Sequence, residues 1–168
     1  MLHRGSPTLL GLAVLALSTF GLAGCGGGGG SSNASTTAGT PTLRVASTGV
    51  GDALIDSENR AVYLFEKDAR AKSMCLGACA HEWPPLRVSG KPTVGSGAKA
   101  ALVGTIKRSD GKPQVTYNGH PLYLFLGDNT PGATNGQGKT AFGAQWFVVS
   151  PAGAQLSGKS TAGRSNGY

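Results

Sequence analysis

The sequence predicts an all-β domain, and three observations support this class. Glycine is abundant, with 28 of the 168 residues, and the strand-forming runs are short. No stretch after the N-terminal segment has a sustained 3.6-residue apolar period. Asn-Gly and Asp-Gly pairs recur between the runs, and such pairs supply the positive φ that tight hairpins need. We therefore expect a compact antiparallel sandwich or a barrel-like domain.

Strands are also predicted in residues 54–65 and in residues 146–149. Residues 54–56 and 61–65 are strand-like and are separated by Ser57-Glu58-Asn59, which predicts a hairpin. Residues 146–149, Trp-Phe-Val-Val, form a further apolar run that ends before Pro151. Proline cannot donate a ladder hydrogen bond, so a strand is expected to stop there.

Residues 102–126 are predicted to form a three-stranded meander. Asp110-Gly111 and Asn118-Gly119 divide this region into three short runs of β-forming residues. Both dipeptides are typical of two-residue hairpin turns. Three consecutive strands joined by such turns are expected to pair in sequence order.

The N-terminal segment has the three parts of an export signal. His3 and Arg4 form a short basic start, and residues 9–22 are apolar apart from two hydroxyl side chains. This apolar stretch is about 14 residues long, whereas a membrane-spanning helix needs about 20. The tetrapeptide Leu22-Ala23-Gly24-Cys25 resembles the lipobox of bacterial lipoproteins. The resemblance implies removal of residues 1–24 as a lipoprotein signal peptide and a diacylglycerol, with palmitate as an acyl group, on Cys25.

Residues 25–42 are predicted to be a flexible tether that starts at the lipidated cysteine. Gly, Ser, Thr, Asn and Ala dominate this segment, and such residues cannot build a core. About 16 residues of this kind have a root-mean-square span of about 20–24 Å. We therefore expect the domain, residues 43–156, to be held on the outer face of a bacterial membrane by acylated Cys25. Residues 157–168 are predicted to be a disordered tail.

The charge of the chain is basic but scattered. The formal net charge is +7, and removing residues 1–24 lowers it to +6 because only Arg4 is lost. Lys107-Arg108 is the only adjacent basic pair. A nucleic-acid surface would show a cluster or stripe of basic residues, so no nucleic-acid partner is expected. A mildly basic surface suits proximity to anionic lipid, and an envelope protein is a second possible partner.

The chain contains an internal repeat. Residues 61–68, Ala-Val-Tyr-Leu-Phe-Glu-Lys-Asp, match residues 121–128, Pro-Leu-Tyr-Leu-Phe-Leu-Gly-Asp, at a shift of 60, and a tryptophan follows each copy. Two copies are too few for an open solenoid, so we expect a compact pair that shares one core. Repeat one spans about 47–100 and repeat two about 101–153. Both matching strands are apolar on successive residues, which is typical of strands covered on both faces.

Both copies carry the pattern Y-x-[FWY]-x-x-D, which is also found in a known protein family. The six motif residues are Tyr63, Phe65, Asp68, Tyr123, Phe125 and Asp128. Together with segments 75–86 and 114–123 and with Gly136-Gln137-Gly138, they resemble the bacterial secreted-repeat lipoproteins over about residues 47–153. The resemblance implies export and a repeat architecture, and it implies no established activity.

The motif has two possible roles. Tyr and Phe two positions apart lie on one face of a strand, and the Asp three residues later falls in a turn where it can accept backbone N–H groups. This spacing favours a role in packing and turn formation. The alternative is that Asp68 and Asp128 line one ligand site across the repeat boundary.

Cys75 and Cys79 remain once Cys25 is assigned to the lipid. In an exported domain such a pair is predicted to form a disulfide. The alternative is a copper or thiol-redox site, because Met74, Cys75, Cys79 and His81 are soft or borderline ligands that favour Cu(I). The spacing does not match the C-x-x-C-H pattern of haem attachment, and a second ligand pair of the usual zinc spacing is missing.

The function predicted from these features is that of a membrane-anchored exported lipoprotein that binds or organises envelope components. The sequence contains no G-x-S-x-G, H-E-x-x-H or phosphate-cradling loop, so we do not predict an enzyme or a cofactor. The alternative is an exported copper-handling or thiol-redox and electron-transfer protein that works through Cys75 and Cys79.

Overall fold

The computed structural model describes residues 42–158. The predicted signal peptide, nearly all of the predicted tether and residues 159–168 of the predicted tail lie outside the described residues. In chain order the elements are β1 (Leu43–Thr48), β2 (Gly51–Asp56), β3 (Tyr63–Phe65), α1 (Ala78–Glu82), a 3₁₀ turn (Ala100–Leu102), β4 (Val103–Lys107), β5 (Pro113–Tyr117), β6 (His120–Pro121), β7 (Thr140–Ala141) and β8 (Ala144–Val148).

The predicted all-β class is confirmed. The strands form three antiparallel sheets with the orders β1-β2, β3-β8-β7 and β4-β5-β6. The single α-helix of the described residues, α1, is five residues long. None of the sheets in this part of the chain closes on itself, so the architecture is that of a sandwich.

The predicted meander is present as β4, β5 and β6. Val103 pairs with Tyr117 and Lys107 with Pro113 at the two ends of the first ladder, and Tyr117 then pairs with His120. The Asn118-Gly119 turn has the backbone that its sequence predicts, whereas the Asp110-Gly111 turn has three residues, 109–111, within the Arg108–Lys112 hydrogen bond, and only its glycine has a positive φ. Gly111 has φ 78°, and Asn118 and Gly119 have φ 50° and 79°. Asparagine and glycine adopt this left-handed region with little strain, which explains why these dipeptides mark the turns.

The first predicted hairpin is a tight turn rather than a ladder. Ile55 and Ala61 form one isolated bridge, and the Asp56 carboxylate accepts the Glu58 and Arg60 amides, each at 2.9 Å. The Arg60 guanidinium also lies 2.7 Å from Asp56. The main partner of β2 is β1, a strand that the sequence analysis did not identify.

The two repeats complete each other's sheets. Strand β3 of the first repeat pairs with β8 of the second, with Leu64 opposite Phe147. In the first repeat, Leu86 donates its amide to the Leu122 carbonyl at 2.8 Å and accepts the Val115 amide at 2.8 Å. The equivalent residue of the second repeat is Val149. Its amide donates to Val62 at 3.0 Å, and its carbonyl accepts the amide of Leu54 at 2.8 Å. The tryptophan-bearing segment of each repeat therefore lies in the sheet of the other.

The motif strands are covered on both faces, as their continuous apolar sequence predicts. Tyr63 and Phe65 belong to an aromatic core cluster, and Val62 and Leu64 belong to an aliphatic one. The second copy has the same alternation, with Tyr123 and Phe125 in the aromatic cluster and Leu122 and Leu124 in the aliphatic one. Adjacent residues of a strand project to opposite faces, so each motif strand separates the two clusters.

Candidate functional site

The two copies of the motif meet at the centre of the domain. Tyr63 donates its amide to the Tyr123 carbonyl at 2.8 Å, and Tyr123 donates its amide to the Tyr63 carbonyl at 3.0 Å. The hydroxyl groups then cross between repeats. Tyr63 Oη donates to Asp128 Oδ2 at 2.5 Å, and Tyr123 Oη donates to Asp68 Oδ2 at 2.7 Å. Each motif tyrosine is thus bonded to the motif aspartate of the other repeat.

The second oxygen of each motif aspartate accepts a backbone amide. Asp68 Oδ1 accepts from Met74 at 2.6 Å, and Asp128 Oδ1 accepts from Asn135 at 2.7 Å. Both aspartates also close a turn, because their own amides donate to the Phe65 carbonyl at 3.0 Å and to the Phe125 carbonyl at 3.1 Å. This geometry agrees with the interpretation that the motif aspartates accept backbone N–H groups in a turn.

Burial dominates the ionisation of these four groups. Desolvation raises the pKa of Asp68 to about 6, although the Met74 amide, the Tyr123 hydroxyl and the Arg108 charge act in the opposite direction. Burial also raises the pKa of Asp128 against the opposing effect of the Tyr63 hydroxyl and the Asn135 amide. The pKa values of the Tyr63 and Tyr123 hydroxyls are raised well above 10, first by burial and then by the neighbouring carboxylates. Both phenols are therefore neutral donors at physiological pH.

Four aromatic rings stack in a column beside the Tyr–Asp bonds. Phe65 lies against Trp146 with ring centroids 4.1 Å apart, Trp146 against Trp83 at 3.9 Å, and Trp83 against Phe125 at 4.2 Å. Each phenylalanine thus stacks on the tryptophan of the other repeat. The motif aromatics are interior packing groups, and such stacked contacts stabilise a core beyond the area that they bury.

The two tryptophans differ in their hydrogen bonding. Trp146 Nε1 donates to the Ala141 carbonyl at 3.2 Å. Trp83 Nε1 is buried and has no acceptor within residues 42–158. The difference follows from local structure, because Trp146 lies within the β7–β8 hairpin whereas Trp83 follows the short helix α1.

The predicted disulfide joins Cys75 to Cys79, with Cα atoms 5.2 Å apart. Cys75 is fully buried and Cys79 is nearly so, and both belong to the aromatic core cluster. The bridge closes the loop in front of α1. Its sulfurs are therefore part of the core and, in this form, offer no thiolate to a metal.

The residues proposed as further copper ligands lie at the surface. Met74 is 43% exposed and His81 is also exposed. Within the described residues, no group of three or more His, Cys, Asp and Glu side chains is placed to hold a metal ion. The geometry thus adds no support for the copper alternative.

A buried arginine connects the cysteine loop to the motif. Arg108 Nη1 donates to Ser73 Oγ at 2.5 Å, and Nη2 donates to the Cys75 carbonyl at 2.8 Å. Ser73 Oγ lies 2.8 Å from Tyr123 Oη, which in turn donates to Asp68. In the sequence Arg108 is only half of a basic pair, and its position directly after β4 does not reveal its burial.

An open cleft of about 560 Å³ lies on the solvent side of Asp68. Phe65 and Leu64 form part of its wall, and Glu66 and His120 contribute polar groups. Burial, followed by the Arg70 charge, lowers the pKa of His120, which keeps this imidazole neutral near pH 7. Asp128 does not line this cleft, so the cleft contains one of the two motif aspartates and not the pair.

Comparison with known proteins agrees with the repeat architecture. The model of a family described as a secreted repeat of unknown function matches residues 44–87 and again residues 104–150. Comparisons with curated proteins and with solved structures found no match. Among residues 42–158, no helix is long and apolar enough to cross a membrane. The two matches together cover more than half of the chain, which is therefore an exported protein and belongs to the family of secreted repeats of unknown function.

Proposed function

We propose that this protein is a lipid-anchored module of the bacterial cell envelope that acts by binding rather than by catalysis. The main support for this proposal is that the hydrogen-bonding groups of the motif are already occupied within the domain. Both carboxylate oxygens of Asp68 and of Asp128 accept hydrogen bonds inside the domain. A general base or nucleophile needs a reactive group within reach of a substrate, and these groups instead hold the two repeats together.

The lipid anchor is supported by the sequence before the domain. The lipobox-like tetrapeptide ends at Cys25, and about 16 glycine- and serine-rich residues separate it from Leu43 at the start of β1. A tether of this length would let a rigid domain move over the membrane surface. An acylated Cys25 would make membrane lipid the first partner of the protein, with an envelope protein as a further partner.

Mass spectrometry of the N-terminal peptide tests the anchor. We expect membrane fractions to contain a chain that starts at Cys25 and carries a diacylglycerol and an acyl group. We expect a Cys25→Ser variant to carry no diacylglycerol. A wild-type chain with an unmodified Cys25, or one cleaved at another residue, would reject the anchor while leaving the fold of the domain unaffected.

A further inference from the structure

A second cleft, of about 320 Å³, lies on another part of the surface. It is lined by Ala71, Lys72, Ser73, Lys107, Arg108 and Ser109. Lys72 and Lys107 are exposed, whereas Arg108 is only 4% exposed. The cleft therefore combines two mobile ammonium groups with a fixed, buried guanidinium and two hydroxyl groups, and its lining includes no acidic residue.

The guanidinium of Arg108 is held mostly by neutral acceptors. Its partners are Ser73 Oγ, Gln114 Oε1 and the Cys75 carbonyl, and its one direct carboxylate partner, Asp110, lies 3.4 Å from Nε. The five N–H groups of a guanidinium thus meet four acceptors within residues 42–158. A buried cation is normally balanced by a buried carboxylate in direct contact, whereas the carboxylate that contacts Arg108 among residues 42–158 is the exposed Asp110.

The acidic groups around the cleft offset only part of its positive charge. Asp110 is exposed and is shared with Arg87, whose Nη2 lies 3.2 Å from it. Asp68 is bonded to Arg108 indirectly, through Ser73 and Tyr123, and the Arg108 charge also acts on its carboxylate. A concave site with low-dielectric walls concentrates the field of its charges, so three cations at one cleft produce a positive potential there.

We propose that the cleft formed by Lys72, Ser73, Lys107, Arg108 and Ser109 binds a phosphate group. Ammonium and hydroxyl groups donate to phosphate oxygens, and the exposed donors of this cleft are Lys72, Lys107 and Ser109. The buried Arg108 guanidinium adds a fixed positive charge beside them. This proposal rests on the proposed binding function and adds the chemical class of the ligand. It takes from that function only the location of the ligand, at the cell envelope. The phosphate can belong to a lipid headgroup or to a soluble molecule.

The test uses residues 26–168, which lack Cys25 and carry no acyl group, so its result does not depend on the anchor. Binding of inorganic phosphate is measured by calorimetry at constant ionic strength, and binding to vesicles of phosphatidylglycerol is compared with binding to vesicles of phosphatidylcholine. We expect wild-type residues 26–168 to bind one of the two phosphate sources. Lys72→Gln with Lys107→Gln is expected to weaken this binding about tenfold or more, since two charge-assisted contacts are lost.

A second double variant controls for net charge. Lys91→Gln with Lys99→Gln removes the same charge from exposed positions that do not line the cleft. Retained binding in this control supports the site. Binding to phosphatidylglycerol alone identifies a headgroup, and binding to free phosphate alone identifies a soluble ligand. Equal losses in both double variants, or no binding to either source, would overturn the proposal. Arg108 is left unchanged, because substitution of a buried arginine would test folding instead.

Discussion

At the scale of single residues, the motif works through reciprocal bonds. Tyr63 and Asp128 are 65 residues apart, and Tyr123 and Asp68 are 55 apart, yet each pair is joined by one short hydrogen bond. A hydrogen bond to a charged acceptor is stronger than a neutral one, and a buried carboxylate that loses its donor is left partly unsatisfied. The motif therefore stabilises the contact between repeats through a few atoms.

Removal of either motif hydroxyl should destabilise the domain. We expect Tyr63→Phe and Tyr123→Phe each to lower the free energy of unfolding by about 1.5–3 kcal/mol, because each removes a donor from a partly buried carboxylate. Tyr117→Phe is a matched control, since Tyr117 Oη bonds only to backbone groups, the Pro151 carbonyl and the Lys99 amide. Urea unfolding measures all three. An equal loss of unfolding free energy in Tyr117→Phe would show that a carboxylate acceptor makes these tyrosine hydrogen bonds no stronger than a backbone acceptor does.

Asp68 should make stability depend on pH. Its pKa is about 6 in the folded domain and 3.8 in the unfolded reference, so the folded state binds more protons between these values. The contribution of Asp68 to stability is then greatest below about pH 4 and is lost as the pH rises to about 6. We expect the difference in unfolding free energy between wild type and Asp68→Asn to change across this window and to be constant above it. A carboxyl resonance of Asp68 that titrates near pH 4 would contradict the expectation.

At the scale of elements, each tryptophan-bearing segment combines two contributions. Its backbone joins the sheet of the other repeat, and its indole stacks on the phenylalanine of that repeat. The elements around the tryptophans differ, because Trp83 follows the disulfide loop and α1 whereas Trp146 lies within the β7–β8 hairpin. The two repeats thus contribute equivalent residues to the core but differ in the elements next to their tryptophans.

The two tryptophans should respond differently to the same substitution. Trp83 and Trp146 are both fully buried and stack on each other, so replacement by Phe removes similar packing. Trp146→Phe also takes the donor from the Ala141 carbonyl, whereas Trp83→Phe removes a buried N–H that has no acceptor in the described part of the chain. We expect Trp146→Phe to be the more destabilising by about 1–3 kcal/mol in chemical denaturation. The reverse order would indicate an acceptor for Trp83, such as an ordered water.

The disulfide should contribute modestly to the stability of the domain. Cys75 and Cys79 are four residues apart, so closing this loop contributes about 2 kcal/mol by the chain-entropy argument. We expect Cys75→Ala with Cys79→Ala to lower the unfolding free energy by about that amount and to leave the β-sheet circular dichroism unchanged. Loss of all folded signal would mean that the loop is required for the interlocking of the repeats.

At the scale of the whole molecule, the repeats are not independent units. Each motif strand pairs with the tryptophan-bearing segment of the other repeat, and the aromatic column alternates between the two. A single repeat would expose one face of its motif strand and lack a strand partner. Burial of the apolar surface then requires both copies.

Cleavage of the chain between its repeats tests this dependence. The peptide bond after Gly90 lies in an exposed segment between Leu86 and β4. We expect residues 42–90 and residues 91–158, made as separate peptides, each to lack a cooperative unfolding transition. When mixed, they should recover the near-ultraviolet circular dichroism of the stacked tryptophans. Cooperative folding of either peptide alone would show that the exchange of segments is not needed for stability.

Local sequence predicted much of the fold, for physical reasons that can be named. Asp110-Gly111 and Asn118-Gly119 predicted the turns of the meander, because only certain residues adopt a positive φ cheaply. Continuous apolar residues predicted that the motif strands are covered on both faces. Strand β1 and helix α1 were missed, since β1 mixes polar and apolar residues and α1 is too short for a helical period.

The sequence by itself determined the all-β class, the presence of two repeats, the disulfide and the export of the chain. These properties follow from turn residues, residue identity along the chain and the redox environment, which are local or compositional. Only the tertiary structure decided that the repeats exchange segments, that each tyrosine bonds the aspartate of the other copy, and that Arg108 is buried at a basic cleft. Two copies of the same pattern have the same local preferences. Which copy pairs with which is set by long-range backbone hydrogen bonds and by packing, and neither is encoded in a short stretch of sequence.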